Sequence, residues 1–273
     1  MKSCVTIALV PTIKTGPWIY WEDLKASMRK AAALGFDGVE LFTASADAIA
    51  PEQLTTLCQL YNLSIAAVGT GAGKVIHGLT LTDPDPVIRD NAVQFIQAMI
   101  TFGAHAQAPA IIGSMQGNVA QGVTREQALD WLAEGLNTLG KYAEDKGVTL
   151  IYEPLNRYET NLINRLDDGV ALLRTLKCQN VRLLADLFHM NIEETSIPDS
   201  IRSAGDAIGH VHFADSNRRP IGFGHTAMNE VAEALSEIAY SGYVSAEAFP
   251  WPDPDAAAEQ TLNSYRRYFG QSH

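Results

Sequence analysis

The sequence predicts an α/β fold, a single (β/α)8 TIM barrel that occupies residues 1–273 as one domain. Eight short β-rich runs alternate with eight longer runs of helical periodicity, and dividing 273 residues among eight units gives about 34 residues each, the size of a strand with its crossover helix. No Pro- or Ser-rich linker divides the chain. A doubly wound open sheet is the alternative, but the segment Pro11-Thr12-Ile13-Lys14 after the first strand lacks the glycines of a phosphate-binding turn.

The predicted strands are short apolar runs bounded by turn residues. The first run ends at Pro11, and the others each follow the end of a predicted helix. In chain order, the strands are predicted at residues 5–10, 38–41, 64–68, 110–112, 149–152, 181–185, 208–213 and 244–246.

The predicted helices are longer and several begin with recognisable start signals. Thr124, with Gln127 three residues later, resembles a capping box, and Pro51 and Pro86 occupy first-turn positions where proline is tolerated. In chain order, the helices are predicted at residues 22–34, 51–61, 86–102, 125–146, 168–177, 197–204, 228–240 and 256–269.

Glycines mark three of the predicted helix ends. Gly35, Gly147 and Gly242 each come shortly after a helical run and before a strand, where a left-handed C-terminal cap is expected. These glycines support the helix boundaries and the short helix-to-strand turns of a barrel.

Composition narrows the class of partner. The 20 basic and 31 acidic residues give a net charge of −11, which repels a phosphate backbone and an anionic membrane surface, so neither nucleic acid nor a membrane is expected as a partner. The three cysteines, Cys4, Cys58 and Cys178, are an odd number without CxxC spacing. This usage favours a reducing compartment, and we expect a cytoplasmic protein.

Four chemically active residues come at the ends of the last four predicted strands. Glu153 follows the fifth strand, Asp186 the sixth, His212 lies near the end of the seventh, and Glu247 follows the eighth. A single acidic residue in such a place is usually a helix cap or an ion-pair partner. Four in successive units are expected to converge at the mouth of the barrel, where carboxylates and imidazole without thiolates favour Mn²⁺, Mg²⁺ or Co²⁺.

Further candidates lie close to these four. His210 and His212 are two residues apart on one strand and so point to the same side, which leaves His210 either as a supporting residue or as an ordinary buried histidine. His189 is expected on the loop that leaves the sixth strand, where it reaches substrate oxygens. Arg218 and, less so, Arg219 follow the seventh strand and offer donors to a hydroxyl, carboxylate or phosphate.

Two segments of the first half carry weaker signals. Residues 69–74 lack the spacing of a nucleotide-binding loop and are expected to form a flexible loop, which could cover the substrate. Trp18, Tyr20 and Trp21 follow the first strand, and at least one of them is expected to touch the substrate.

At these residues the sequence resembles the xylose-isomerase-like barrels, and within them the D-tagatose and D-psicose (allulose) 3-epimerase group. The matching segments, in order and at the spacing of that group, are EPLNRYETNLIN (153–164), ADLFHMNIEE (185–194), HVHFADSNR (210–218), GFGH (222–225) and Glu247. The match is dense between Glu153 and Glu247, whereas the first 110 residues show only a barrel-like pattern.

The resemblance implies roles for seven residues and one cofactor. The cofactor is one divalent metal ion, Mn²⁺ or Co²⁺ before Mg²⁺ or Zn²⁺, and the implied ligands are Glu153, Asp186, His212 and Glu247. The implied substrate-binding residues are His189 and Arg218, which hold the first oxygens of the sugar, and Glu159, which supports Glu153. The group acts on free ketoses, and the resemblance implies a homo-oligomer, a dimer or a tetramer.

The chemistry of the residues agrees with an isomerase of the epimerase kind. Removing a proton beside a ketone requires stabilisation of an enediolate, which a divalent ion provides, and epimerisation requires an acid or base on each face of the carbon. Glu153 and Glu247 are the predicted pair. Returning the proton of the same enediolate to the neighbouring carbon would give an aldose–ketose isomerisation. The motif therefore predicts the intermediate more firmly than the product.

There are four alternative functions. A hydroxypyruvate-type keto-acid isomerase would use the arginines at the mouth, and a lyase would expel a leaving group from a 3-keto sugar. A nuclease of the endonuclease IV type would need a histidine-rich multinuclear zinc site and a basic groove, which a net charge of −11 opposes. A sugar-binding barrel without catalysis would not need both Glu153 and Glu247.

Overall fold

The computed structural model describes residues 1–21 and 23–270, and its strands form one closed parallel sheet, as the sequence predicts. The strands are β1 (Lys2–Leu9), β2 (Tyr20–Trp21), β3 (Gly38–Thr43), β4 (Ser64–Gly69), β5 (Ala110–Ile112), β6 (Leu150–Tyr152), β7 (Val181–Asp186), β8 (Ile208–His212) and β9 (Tyr243–Ala246). All pairings are parallel and follow chain order from β3 to β9. This arrangement is a (β/α)8 barrel with β2 as a two-residue addition.

Strand β1 closes the barrel with two different partners along one edge. Its first half pairs with β9, from Lys2 opposite Tyr243 onward, and its second half pairs with the short strand β2. Thr6, near the change of partner, donates its hydroxyl to the carbonyl of Ala246 at 2.7 Å and accepts the backbone N–H of Ile19 at 3.1 Å. The loop that carries β2 is therefore tied to the rim of the barrel.

The helices surround the sheet on its outer side. They are α1 (Leu24–Leu34), α2 (Pro51–Tyr61), α3 (Ala72–His77), α4 (Pro86–Ala104), α5 (Arg125–Asp145), α6 (Leu166–Thr175), α7 (Leu187–Glu193), α8 (Ile197–Ala204), α9 (Met228–Glu237) and α10 (Pro254–Phe269). Of the described helices, none combines the length and the apolar character needed to cross a bilayer. The bounds differ by a few residues from the predicted ones, and the predicted first residue of the first helix, Glu22, lies outside the described residues.

Several local signals work as predicted. The Thr124 hydroxyl accepts the N–H of Gln127 at 3.1 Å, and both prolines, Pro51 and Pro86, stand in the first turn of a helix. Gly35 has φ +97° and Gly147 has φ +75°, the left-handed conformation in which glycine carries no steric penalty.

Three local predictions are wrong. Residues 69–74 are not simply a loop, because α3 begins at Ala72 and ends at His77. Its C-cap is Gly78, whose φ is +68° and whose N–H donates to the carbonyl of Lys74 at 2.9 Å. His189 lies in α7 rather than in a loop, since Asp186 caps that helix. Gly242 is not the cap of α9, which ends at Glu237, and Ala239 takes the positive φ of +54° instead.

The core has three parts, one large cluster and two small ones, of which one consists of Ala8, Val10, Phe42 and Ala72. Most buried apolar side chains form one large cluster that spans helices and strands. A small separate cluster comes from four successive strands and consists of Ala67, Ile111, Ile151 and Leu184. The sheet register pairs Ala67 with Glu40 and Leu184 with His210, so apolar side chains and a buried polar pair share the interior of the barrel.

Candidate active site

The four residues predicted at strand ends converge at the carboxyl-terminal mouth of the barrel. The imidazole of His212 lies at the centre, with its Nδ1 atom 3.3 Å from Asp186 Oδ2, 3.4 Å from Glu153 Oε1 and 3.6 Å from Glu247 Oε2. One donor atom from each of the four residues lies within 4.8 Å of all the others. The convergence expected from the spacing of the sequence is therefore present.

Local backbone structure explains how the carboxylates reach this point. Asp186 is both the last residue of β7 and the N-cap of α7, and its Oδ1 accepts the N–H of Phe188 at 2.7 Å, which leaves Oδ2 to face the site. Glu153 continues the sheet beyond β6, because its N–H donates to the carbonyl of Ile112 at 3.0 Å. The Gln116 side chain holds the Glu153 carbonyl at 3.0 Å.

The donor set fits one divalent cation. Two ligands that bind the same ion at about 2.0–2.6 Å are at most about 5 Å apart, and the four donor atoms meet this limit. Glu153 Oε1 is buried and has no hydrogen-bond partner, which is a costly state for a carboxylate unless a cation or a bound molecule satisfies it. Two buried carboxylates, Glu153 and Asp186, and the largely buried Glu247 also repel each other strongly at this separation.

Electrostatics at the site reflect this concentration of negative charge. Burial raises the pKa of Glu247 to about 7, with repulsion from Glu153 and Asp186 adding to the shift. Burial alone would lower the pKa of His212, but the surrounding carboxylates, Glu40 and Glu247 foremost, raise it well above its usual range. The site therefore concentrates negative charge, which favours a bound cation.

His189 presents one ring nitrogen to the site. Its Nδ1 lies 2.7 Å from Asn156 Nδ2 and 3.3 Å from the backbone nitrogen of Asn156, both of which are donors. Nδ1 therefore acts as the acceptor and Nε2 carries the proton. Nε2 lies 3.5 Å from Asp186 Oδ2 and is buried without a hydrogen-bond partner, so it is free to donate to a bound oxygen. Asn156 falls within the matching segment, but sequence reasoning assigned it no role.

Arg218 is held between two carboxylates at the mouth. Its Nη2 donates to Glu247 Oε2, and its Nη1 lies 3.4 Å from Glu159 Oε1, while the guanidinium lies 4.7 Å above the ring of Phe188. Arg218 has a positive φ of +58°, an uncommon conformation for arginine. Among the described residues, the partners of Glu159 are Arg218, Asn156 and His189 rather than Glu153, so the expected support of Glu153 by Glu159 is not direct.

Asp215 organises the loop that carries Arg218. Its two carboxylate oxygens accept the backbone N–H groups of Ser216, Gly222, Gly224 and Thr226 at 2.7–3.0 Å. Burial alone would raise the pKa of Asp215, but these four donors outweigh burial and hold its pKa below the usual range. The loop is thus folded around one ionised carboxylate.

Sequence reasoning missed one buried acidic residue at the site, Glu40 in β3. Its Oε2 lies 2.8 Å from His210 Nε2, and its Oε1 lies 3.1 Å from His212 Nε2. Burial alone would raise the pKa of Glu40, but the two histidines outweigh it and hold the pKa well below the usual range. Glu40 lies inside a strand and not after one, so a search restricted to strand ends could not find it; the signal was a charged residue within an otherwise apolar run.

A cavity of about 220 Å³ opens above the four carboxylate and imidazole groups. Its lining includes the polar side chains of Glu153, His189 and Glu247 and the apolar side chains of Trp18 and Phe42. Trp18 is stacked on Phe42 with 4.3 Å between ring centroids. Of the three aromatic residues considered near the first strand, Trp18 is the one that lines the cavity, and Val75 of α3 lies at its edge.

Comparison with known proteins places this geometry in context. A family model described as a xylose isomerase-like TIM barrel matches residues 28–268. The D-psicose 3-epimerase of Ruminiclostridium cellulolyticum is 33% identical over 246 residues, which cover 85% of this chain and 82% of that protein. The L-ribulose 3-epimerase of a Methylomonas species is 30% identical over 244 residues, with 89% and 84% covered.

The fold comparison agrees. The crystal structure of D-psicose 3-epimerase with D-tagatose from Clostridium cellulolyticum H10 superposes with a TM-score of 0.81 and 27% identity, covering 98% of this chain and 99% of that one.

Proposed function

Because this chain belongs to the xylose isomerase-like TIM barrel family, we propose that it is a divalent-metal-dependent epimerase acting at carbon 3 of a free ketose. The relatives named above are ketose 3-epimerases. The observation that carries the proposal is the position of Glu153 and Glu247, two carboxylates that both lie within 3.6 Å of His212 Nδ1 and line one cavity.

We expect Glu153, Asp186, His212 and Glu247 to hold one ion, Mn²⁺ or Co²⁺ in preference to Mg²⁺ or Zn²⁺. When bound, the ion polarises the ketone and stabilises the negative charge that develops on the substrate oxygens. The buried, partnerless Glu153 Oε1 is the feature of this structure that most requires such a positive charge.

The two glutamates supply the proton transfers. One carboxylate removes the proton from C3 on one face, and the other returns a proton to the opposite face, which inverts that carbon. Glu153 and Glu247 both line the cavity, so both carboxylates are within reach of a sugar bound there.

His189 and Arg218 orient the sugar in this proposal. His189 Nε2–H points into the site without a partner and is placed to donate to a sugar oxygen near C1 to C3. Arg218 contacts Glu247 and Glu159, so it both fixes the Glu247 carboxylate and offers a donor at the mouth. Glu159 acts through Arg218 and His189.

The lining of the cavity favours an uncharged sugar. Arg218 is the single arginine or lysine among the described residues that line it, and its guanidinium already pairs with two carboxylates. The apolar part of the lining, with Trp18 and Phe42, offers contact to the distal carbons. A phosphate or carboxylate on the substrate would therefore meet net negative charge, which favours a free ketose over a sugar phosphate or a keto acid.

The test is isotope exchange in D₂O with Mn²⁺-loaded or Co²⁺-loaded protein, followed by NMR, with fructose, tagatose, ribulose, hydroxypyruvate and a 3-keto-glucoside as substrates. We expect deuterium at C3 together with the inverted ketose. Exchange confined to C1 or C2 would indicate aldose–ketose or keto-acid isomerisation, and an eliminated product from the glucoside would indicate a lyase. Absence of exchange with every ketose would refute the proposal.

A further inference from the structure

Glu40 contacts two histidines and is a carboxylate of the barrel interior that the proposed chemistry leaves unused. Its oxygens divide between two rings, with Oε2 2.8 Å from His210 Nε2 and Oε1 3.1 Å from His212 Nε2. The side chains of all three residues are at most 7% exposed. The contacts are of hydrogen-bond length and lie where water cannot substitute for a lost partner.

The two ring nitrogens of His212 face different groups. Nε2 faces Glu40, while Nδ1 faces the carboxylates of Asp186, Glu153 and Glu247 at 3.3–3.6 Å. Glu40 offers only acceptor oxygens to Nε2, so a neutral imidazole keeps its proton on Nε2 when a cation held by the three other carboxylates takes the lone pair of Nδ1. With the proton of a neutral imidazole on Nε2, the lone pair of Nδ1 is directed at the proposed metal site.

His210 fixes the second oxygen of Glu40 and so restrains the carboxylate itself. The rings of His210 and His212 are nearly perpendicular, at 84°, with centroids 5.5 Å apart. Because the carboxylate bonds two rings of different orientation, it cannot turn away from one without losing the other. Glu40 also comes from β3, across the barrel from β8 in the order of the sheet, so it links two separate parts of the wall.

We propose that Glu40 is a positioning residue that fixes the tautomer and the orientation of His212 for divalent-metal binding, with His210 holding Glu40 in place. The proposal rests on the metal site of the proposed function. Outer carboxylates that orient a metal-binding histidine typically change metal affinity about 10- to 100-fold when they are replaced.

The decisive variant is Glu40→Gln, which has the same shape but one carbonyl oxygen for two ring N–H groups. We expect its Mn²⁺ dissociation constant, measured by calorimetry on the metal-free protein, to rise about 10- to 100-fold. Glu40→Asp keeps the charge on a shorter side chain, so its dissociation constant should lie between those of wild type and Glu40→Gln. Thermal unfolding of each metal-free variant establishes that it is folded.

The matched control is Glu194→Gln. Glu194 is equally buried, with a side chain 1% exposed, but it pairs with Arg165 and contacts none of the four proposed ligands. Its Mn²⁺ affinity should equal that of wild type. A second readout is the ¹⁵N spectrum of the histidine rings in Zn²⁺-loaded protein, where His212 should carry its proton on Nε2 in wild type and lose that uniform state in Glu40→Gln.

The outcomes separate the two proposals. If wild type binds one Mn²⁺ and Glu40→Gln binds it equally tightly, the role of Glu40 is refuted while the proposed function stands. If wild type binds two Mn²⁺ and Glu40→Gln binds one, then Glu40, His210 and His212 form a second metal site and the positioning role is overturned. If wild type binds no divalent ion, both proposals fail.

Discussion

Glu153 and Glu247 can be distinguished from each other by what each variant still catalyses. With Glu247→Gln, an oxygen ligand remains but one acid/base is lost, so we expect epimerisation to fall by about 10²- to 10⁴-fold. Exchange of the C3 proton with D₂O should persist on the face that Glu153 serves, without inversion. In Glu153→Gln the exchange of the C3 proton should persist with the other epimer of the substrate, on the face that Glu247 serves.

A surface substitution of the same kind provides the control for this pair. Glu237, at the end of α9, forms an exposed ion pair with Arg202 of α8. Glu237→Gln removes this pair and should leave both exchange and epimerisation unchanged. If Glu153→Gln or Glu247→Gln retained full epimerisation while binding Mn²⁺, the two-base assignment would be wrong.

Asp215 gives a prediction about stability and pH. Each carboxylate oxygen of Asp215 accepts two backbone N–H groups. In Asp215→Asn the amide NH₂ replaces one of these oxygens, so an N–H donor faces two other N–H donors. We therefore expect the free energy of unfolding to fall by about 2 kcal/mol at pH 7. Because the folded pKa of Asp215 is lowered, its contribution is fully present above the ordinary aspartate pKa of about 3.9 and is lost as the pH falls through the lower folded value. Urea unfolding of both proteins at pH 7 and at pH 3 measures this difference, which should shrink at pH 3.

The control for Asp215 is another aspartate that accepts a backbone N–H. Asp253 caps α10 by accepting the N–H of Ala256 at 2.9 Å, and asparagine caps a helix about as well as aspartate does. Asp253→Asn should therefore change stability little at either pH. A loss of equal size in both variants would contradict the specific role of the Asp215 loop.

At the scale of single elements, β5 contributes space to the site rather than a ligand. A Cβ atom on Gly113, directly after β5, would collide with the Glu153 carboxylate oxygen Oε2. We expect Gly113→Ala to displace that carboxylate and to lower both Mn²⁺ affinity and kcat/KM by at least about tenfold, since geometry at a metal ligand is the sensitive quantity. Calorimetry and initial-rate kinetics provide the two measurements.

Gly103→Ala separates this effect from general destabilisation. In α4 a Cβ at position 103 would lie 2.6 Å from the backbone oxygen of Ala108, far from the cavity, so the variant should lose thermal stability. Its folded fraction should bind Mn²⁺ as wild type does. If Gly113→Ala lost only thermal stability, as expected for Gly103→Ala, then the lack of a Cβ atom at position 113 would have no role in metal binding or catalysis.

The elements also show what a single sequence can and cannot predict. The eight barrel strands and the convergence of Glu153, Asp186, His212 and Glu247 were predictable, because hydrophobic runs and βα spacing are local signals and the barrel brings strand ends together. The contacts of Glu40 were not, because a charged residue within an apolar run marks the position but not its partners, which are 170 and 172 residues away. The helix from Ala72 to His77 was missed for a different reason: six residues are too few to show a helical period.

At the scale of the whole molecule, the proposed ion would connect elements that the barrel otherwise joins only through neighbouring strands. The four proposed ligands come from the ends of β6, β7, β8 and β9, and β9 closes the sheet by pairing with β1. Glu40 extends the connection to β3. Opening any of these strands separates the ligands, so the ion should stabilise the folded barrel and have little affinity for the unfolded chain.

The last prediction follows from this linkage. At Mn²⁺ concentrations about 100 times the dissociation constant, binding to the folded state alone adds about 2.7 kcal/mol, which corresponds to a rise in Tm of roughly 5 °C over protein treated with EDTA. Differential scanning calorimetry with and without Mn²⁺ measures the rise. Asp186→Asn replaces a buried, charged ligand and should sharply reduce the rise in Tm. Asp199→Asn changes an exposed ion pair of α8 and should retain the full rise. An equal rise in both variants would mean that the ion stabilises the barrel from another place, because the ligands of the mouth could then not be the ones that hold it.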